Sequence, residues 1–302
     1  MYAGRFDRQA LFPEVASLWV GRYHVESIGE VRMLTNQKVA IIGIGKMGET
    51  LARALVEGEV LSKDQVFATA KHPGTAEEKA KALGIRACRN EEAVREARIL
   101  VLSVKPQAME EALLSIASEL TPEHLLISTA ASVSTSFIEK TIGKEIPVIR
   151  TMPNTPCLLR NGMTGIAAGT HVRQEHMDVT RAMFESMGRC MILDEKHMDA
   201  VTGLSGSGPA FMYVVLESLA EGGVKVGLPR DVATELVAQT MLGAAKMVLE
   251  TREHPAKLKD GVTTPAGCTI DGLLELEEGG LRVALIKAVV GATERASELL
   301  DE

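Results

Sequence analysis

The chain has 302 residues, enough for two domains of ordinary size, and its 46% hydrophobic and 24% charged content is that of a globular protein. A formal net charge of −7, with no run of Lys or Arg, argues against a surface for nucleic acid or for an anionic membrane. Cys88, Cys157, Cys190 and Cys268 are widely spaced and form no C-x-x-C, which argues against a zinc ribbon or disulfide framework and predicts free thiols in a reducing, cytoplasmic setting.

No segment reaches the run of about 18 apolar residues that a membrane span requires. The first residues carry Arg5, Asp7, Arg8 and Glu14 without the central apolar run of a secretory signal. Residues 1–36 stand apart in composition: Tyr2, Phe6, Phe12, Trp19 and Tyr23 crowd into them, although aromatics are only 3% of the chain. The segment reads as an N-terminal extension of unknown role, with a helical turn over Ala16–Val20 or a flexible leader as the two alternatives.

From Lys38 the pattern becomes regular. Val39-Ala40-Ile41-Ile42 is a short buried strand, Gly43-Ile44-Gly45-Lys46-Met47-Gly48 a glycine turn, and Glu49 to Leu55 a helix. In a G-x-G-x-x-G turn the first glycine makes the bend, the second admits a pyrophosphate to the backbone, and the third lets helix pack on strand. Unpaired N–H groups at the positive end of the following helix then face the phosphates. Because a strand precedes the turn and a helix follows it, the motif predicts a dinucleotide site with Gly43, Ile44, Gly45, Lys46, Met47 and Gly48 in it.

Strands are expected at Val66–Ala70, Ile85–Cys88, Ile99–Ser103, Leu125–Thr129, Val148–Thr151 and Gly165–Ala168, with a helix from Glu77 to Leu83 closed by Gly84. Strands alternating with helix-length segments predict a Rossmann-type, doubly wound, mostly parallel sheet that binds its ligand at the carboxyl ends of the strands. Those ends carry Lys71-His72, Val104-Lys105-Pro106 and Met152-Pro153-Asn154-Thr155-Pro156. Two prolines stiffen the last of these, which suits a loop holding a nicotinamide amide or an ordinary rigid turn. An NAD-specific fold places an acid about 20 residues past the glycines, on the ribose hydroxyl. Here Thr69-Ala70-Lys71-His72 offers no acid and two groups able to carry positive charge, so NADPH is the expected cofactor and NADH the alternative. Asn90, at a helix start, reads as a cap or as an adenosine-ribose contact.

Beyond Glu195 the chain turns helical. Ala210–Val226 and Asp231–Glu250 are long apolar helices separated by Gly227-Leu228-Pro229. In the second, Glu235, Gln239, Lys246 and Glu250 fall on one narrow stripe and the remainder is largely apolar, which requires burial from several sides and predicts a helical dimer interface. The division expected is an extension (1–36), a dinucleotide-binding domain (37–195) and an all-helical C-terminal dimerisation and substrate domain (196–302).

Gly261-Val262-Thr263-Thr264-Pro265-Ala266-Gly267-Cys268-Thr269 forms a hydroxyl-rich turn feeding a helix from Ile270 to Glu277. Its free N–H groups suit a carboxylate, while its hydroxyls suit capping of the same helix; residue types alone leave both open.

With these blocks in view, the chain from Lys38 to about Ser297 resembles pyrroline-5-carboxylate reductase. The resemblance is carried by Ile42–Gly48, Val104-Lys105-Pro106, Met152–Pro156, Leu204-Ser205-Gly206-Ser207-Gly208-Pro209-Ala210, Gly222–Arg230 and Val262–Thr269. It implies NAD(P)H-dependent reduction of a cyclic imine carrying a carboxylate, giving proline. It further implies that Gly267, Cys268 and Thr269 hold that carboxylate, that the hydroxyls of Thr269 and Thr264 belong to the catalytic site, with Thr269 on the ring nitrogen, and that Lys105 lies near the cofactor. The family's sites are shared between the subunits of a homodimer, which can build into larger homo-oligomers. One departure matters: the family usually has Pro-Gly-Gly where this chain has Pro265-Ala266-Gly267, and alanine at a left-handed position costs about 1 kcal/mol. A β-hydroxyacid reductase using Lys225 as its acid would leave the Thr-rich block unexplained, and a nucleotide sensor without turnover would not need Thr269. His171 and His176 are off the i, i+4 spacing of a metal pair, and no metal is expected.

Overall fold

The computed structural model describes Leu34 and residues 37–298. The turn expected at Ala16–Val20 lies outside the described residues. Two compact units are present among the described residues: one runs to Thr202 and takes in residues 296–298, and the other is Gly203–Arg295.

In the first unit β1 (Val39–Ile42), α1 (Lys46–Glu57), β2 (Val66–Thr69), α2 (Pro73–Leu83), β3 (Arg86–Ala87), α3 (Asn90–Glu96), β4 (Ile99–Leu102), α4 (Met109–Ile116), β5 (Leu125–Ser128), α5 (Thr135–Ile142) and β6 (Val148–Met152) alternate as expected. They are followed by β7 (Gly162–Ala168), α6 (Gln174–Glu185), β8 (Gly188–Ile192) and the short α7 (Met198–Val201). The eight strands stand in the order β3-β2-β1-β4-β5-β6-β7-β8, all neighbours parallel except β6 and β7. The order reverses between β1 and β4, so the crevice for a ligand opens beside the carboxyl end of β1.

The strands alternate their side chains between two cores. Val39, Ile41, Ile99, Val101, Leu125 and Ile127 enter one, while Ala40, Ile42, Leu100, Leu102 and Leu126 enter the other. A strand covered on both faces needs apolar residues at every position, which is why these segments read as unbroken apolar runs.

Several boundaries differ from the sequence expectation. Helix α2 begins at Pro73, where a proline at the first helical position gives up no needed hydrogen bond, and it stops at Gly84 with φ +69°. Strand β8 has residues only half-covered or exposed at the sheet's edge, so it lacks an apolar signal. Asn90 does not cap α3: Arg89 occupies the cap position, and the Asn90 amide donates to Ser115 Oγ at 2.8 Å.

The second unit consists of α8 (Gly208–Lys225), α9 (Arg230–Thr251), α10 (Pro255–Val262), α11 (Cys268–Glu278) and most of α12 (Leu281–Glu298). Among its described residues only Gly203, Ala220 and Ala233 are buried. Helices α8 and α9 meet through small residues, a Cβ at Gly223 falling 2.9 Å from that of Ala233. Tyr213, Leu236 and Ile286 are meanwhile 62%, 54% and 63% exposed. Helix α9 is long and apolar enough to cross a membrane, with a mean hydropathy of 1.2, which corrects the expectation that no segment would be. Its charges sit toward its two ends, so the average is high without any long uninterrupted apolar run.

Candidate active site

The glycine turn is built as its spacing requires. Gly43 has φ +94°, and a Cβ there would stand 2.7 Å from Val104 Cγ1 and 3.0 Å from the Ser103 carbonyl oxygen, so the bend fits only glycine. The Gly43 and Ile44 amides donate to the Thr69 carbonyl at 3.2 and 2.7 Å, tying the turn to the end of β2. They are thereby occupied. Gly45 caps α1 without any side-chain hydrogen bond, and nothing lies within 4 Å of where its Cβ would be. The amides of Gly45, Lys46 and Met47 open a helix with no acceptor inside it and border free space, the geometry a pyrophosphate fits.

Around this turn the strand ends bring further groups. Lys71 Nζ pairs with Glu111 Oε2 at 2.8 Å, both side chains well exposed. Lys105 is exposed at the head of a 3-10 turn, Pro106–Ala108. In the loop after β6 the Asn154 Oδ1 accepts from the Met163 amide at 2.9 Å, and Thr155 is exposed as the first residue of a second 3-10 turn, Thr155–Leu159. Met152 and Asn154 are half-buried. The asparagine thus spends its carbonyl on fixing the loop.

Two features here have no signal in residue type. Ser132, after β5, has φ +68° and is buried, and its hydroxyl donates to the Ala296 carbonyl. Arg150 on β6 is 5% exposed and pairs with Asp199 at 2.6 Å and with Glu195 at 3.7 Å. Glu195 in turn accepts from the Thr135 amide and hydroxyl, each at 2.7 Å. Arg150 and Asp199 lie 49 residues apart, and Thr135 and Glu195 lie 60 apart, beyond any local pattern.

In the second unit, the Thr-rich stretch is a type II turn. Pro265 holds its first central position, Ala266 the second with φ +61°, and the Gly267 amide donates to the Thr264 carbonyl at 3.0 Å. A Cβ at Gly267 would meet Thr264 Oγ1 at 2.5 Å, so residue 267 cannot carry one without movement. Gly267 is the N-cap of α11, and no side chain caps the helix; Thr263 Oγ1 instead donates back to the Lys259 carbonyl at 2.8 Å. The capping alternative therefore does not hold. The Gly267 amide is used within the turn, which leaves the amides of Cys268 and Thr269 at the head of α11 with no side-chain acceptor.

The four thiols are free. Burial raises those of Cys157 and Cys190, and burial with Glu92 nearby pushes Cys88 up to about 11. No group of three His, Cys, Asp or Glu able to hold a metal occurs among the described residues.

A phosphate-ready glycine turn at the reversal point of a doubly wound sheet, carried by a chain whose helices expose apolar faces, defines a nucleotide-dependent oxidoreductase with a helical assembly domain. Comparison with known proteins narrows this. Residues 195–299 match the family described as pyrroline-5-carboxylate reductase dimerisation, and residues 38–132 match the coenzyme F420-dependent NADP oxidoreductase family. Pyrroline-5-carboxylate reductase of Methanosarcina acetivorans is 42% identical over 267 residues, spanning 88% of this chain and 99% of that protein. The Arabidopsis thaliana enzyme is 40% identical over 263 residues, 87% and 95% of the two chains. The crystal structure of Plasmodium falciparum pyrroline carboxylate reductase with NADP bound superposes with a TM-score of 0.80 at 31% identity, covering 88% of this chain and 98% of that one. The chain belongs to the pyrroline-5-carboxylate reductase family: it reduces pyrroline-5-carboxylate to proline with NAD(P)H, and it is a homo-oligomer.

Proposed function

We propose a division of labour in which the glycine turn and strand ends of the first unit hold NAD(P)H and the Thr264–Thr269 turn holds the imine. The amides of Gly45, Lys46 and Met47 face the pyrophosphate. Val104, Lys105 and Pro106 line the crevice beside Gly43, and Met152, Asn154 and Thr155 border its nicotinamide end. Asn90 stands on the adenosine side. Lys71, with no acid at the end of β2, favours a 2′-phosphate and hence NADPH over NADH.

The amides of Cys268 and Thr269 bind the substrate carboxylate at the positive end of α11, with Gly267 shaping the turn that aims them. The Thr269 hydroxyl hydrogen-bonds the ring nitrogen, and Thr264 flanks it. The bound nicotinamide supplies the hydride that the C=N carbon accepts. A protonated imine is already electrophilic, so the protein's part is to position the ring and exclude water rather than to shuttle protons. The uncapped head of α11 behind a type II turn is the observation that supports this reading most directly.

Each site is completed by a partner subunit, the nucleotide unit of one chain meeting the helices of the other. The apolar surface left bare on α8, α9 and α12 supports this arrangement. The four free thiols suit a cytoplasmic setting.

Subunit complementation tests the shared site. Gly45→Asp disables nucleotide binding and Thr269→Val impairs substrate chemistry. If sites are shared, dimers mixed from the two impaired variants rise well above the residual activity of either alone, because one site per dimer receives both intact halves. No recovery in verified mixed dimers places each site within a single chain.

A further inference from the structure

We propose that Glu111 sets the enzyme's discrimination between NADPH and NADH by competing with the cofactor's 2′-phosphate for Lys71. The inference rests on the reading above that Lys71 receives that phosphate. Strands β2 and β4 lie on either side of β1. Lys71 follows β2, and Glu111 lies in the first turn of α4, which follows β4. Their 2.8 Å ion pair therefore joins the two strand ends that flank the glycine turn.

Both side chains are about two-thirds exposed, 69% and 67%, so water screens the pair and holds Lys71 only weakly. A phosphate monoester near neutral pH carries a larger charge than a carboxylate and offers three strong acceptor oxygens. Lys71 accordingly leaves Glu111 for the phosphate, at a small penalty. Glu111 stays behind as an uncompensated negative charge on the same rim, and it opposes the phosphate again through repulsion. A cofactor ending in a bare ribose hydroxyl meets neither opposition. Glu111 thus narrows a preference that Lys71 creates, and removing its charge widens it.

Binding of adenosine 2′,5′-bisphosphate and of adenosine 5′-monophosphate to the full chain, followed by calorimetry at low salt without substrate, reads this directly. Glu111→Gln is isosteric at an exposed position and leaves the fold intact. It tightens the bisphosphate by about two- to five-fold and leaves the monophosphate unchanged. Lys71→Met tests the underlying reading, weakening the bisphosphate by about ten-fold while sparing the monophosphate. Loss in Lys71→Met with no gain, or a loss, in Glu111→Gln overturns the role of Glu111 alone. No effect of Lys71→Met overturns the phosphate assignment and this inference with it.

Discussion

A Cβ on Gly48 would lie 2.4 Å from the carbonyl oxygen of Gly43 and 3.0 Å from Ile41 Cγ2. The helix of the nucleotide turn is packed so tightly on the strand before it that a hydrogen is all residue 48 can carry. Gly48→Ala must push α1 off β1, and overpacking against backbone costs about 1–3 kcal/mol. Gly45→Ala meets nothing within 4 Å, so it leaves the thermal midpoint unchanged while its methyl occupies the approach of the pyrophosphate. Calorimetric melting and NADP+ titration should separate the two: Gly48→Ala loses stability first, and Gly45→Ala loses affinity by about ten-fold or more, roughly 1.4 kcal/mol.

Ala266 sits at φ +61° in the second central position of its turn, a backbone region that favours glycine. Holding an L-residue in that region costs about 1–2 kcal/mol, partly offset because alanine restricts the unfolded chain. Ala266→Gly should therefore raise stability by up to about 1 kcal/mol or leave it level. It should also lower KM for pyrroline-5-carboxylate, because the turn that aims the Cys268 and Thr269 amides is no longer strained. Steady-state kinetics with substrate varied at saturating NADPH, beside a thermal melt, checks both; a higher KM contradicts the turn's assigned role.

Thr269→Val keeps the shape of the side chain and removes the hydroxyl oxygen that would accept from the protonated ring nitrogen. Losing a hydrogen bond to a charged group at the reacting ring lowers kcat/KM by about one to two orders, roughly 1.5–3 kcal/mol. The measurement is kcat/KM for the imine, with NADPH affinity as the control that should not move. Kinetics equal to those of the unmodified enzyme remove Thr269 from the site.

How far the sequence carried depends on the range of the interaction. The glycine spacing located β1, its turn and α1 because each glycine answers a local steric demand, met here at Gly43 and Gly48. Buried parallel strands were legible because both faces require apolar residues; β8, half-exposed at an edge, was not. In the Thr-rich turn the pattern left carboxylate binding and capping equal, and only the geometry settles that the hydroxyls do not cap α11. Asn90 misled because a helix-start asparagine usually caps, while here it reaches Ser115, 25 residues on. The Lys71–Glu111 pair, the Arg150 cluster and the Ser132–Ala296 bond all depend on how distant segments meet, which no local pattern encodes.

The second unit leaves Leu236 54% and Ile286 63% exposed and buries almost nothing of its own. A helix this apolar needs a partner surface, and in this family that surface is another subunit. Leu236→Glu places a charge in it and should shift the mass seen by light scattering from oligomer toward monomer, with activity falling in parallel. The melting temperature of the unmodified enzyme should also rise with protein concentration, as mass action requires.

Cys268 opens α11 and is exposed, whereas Cys157 is buried and desolvation holds Cys157 and Cys190 as unreactive thiols. Cys88 is raised to about 11, so near neutral pH almost none of it is thiolate, the form that attacks a maleimide. A raised thiol pKa slows alkylation at pH 7 and lets it catch up only as pH climbs toward that value. N-ethylmaleimide at pH 7 should therefore modify Cys268 before the other three, and the bulky adduct should block the carboxylate site proposed at the Cys268 and Thr269 amides. Peptide mapping by mass spectrometry against a time course of residual activity tests this. Inactivation should track labelling of the Cys268 peptide, and proline should slow both together; loss of activity that tracks Cys88 or Cys190 instead would place the vulnerable site away from α11.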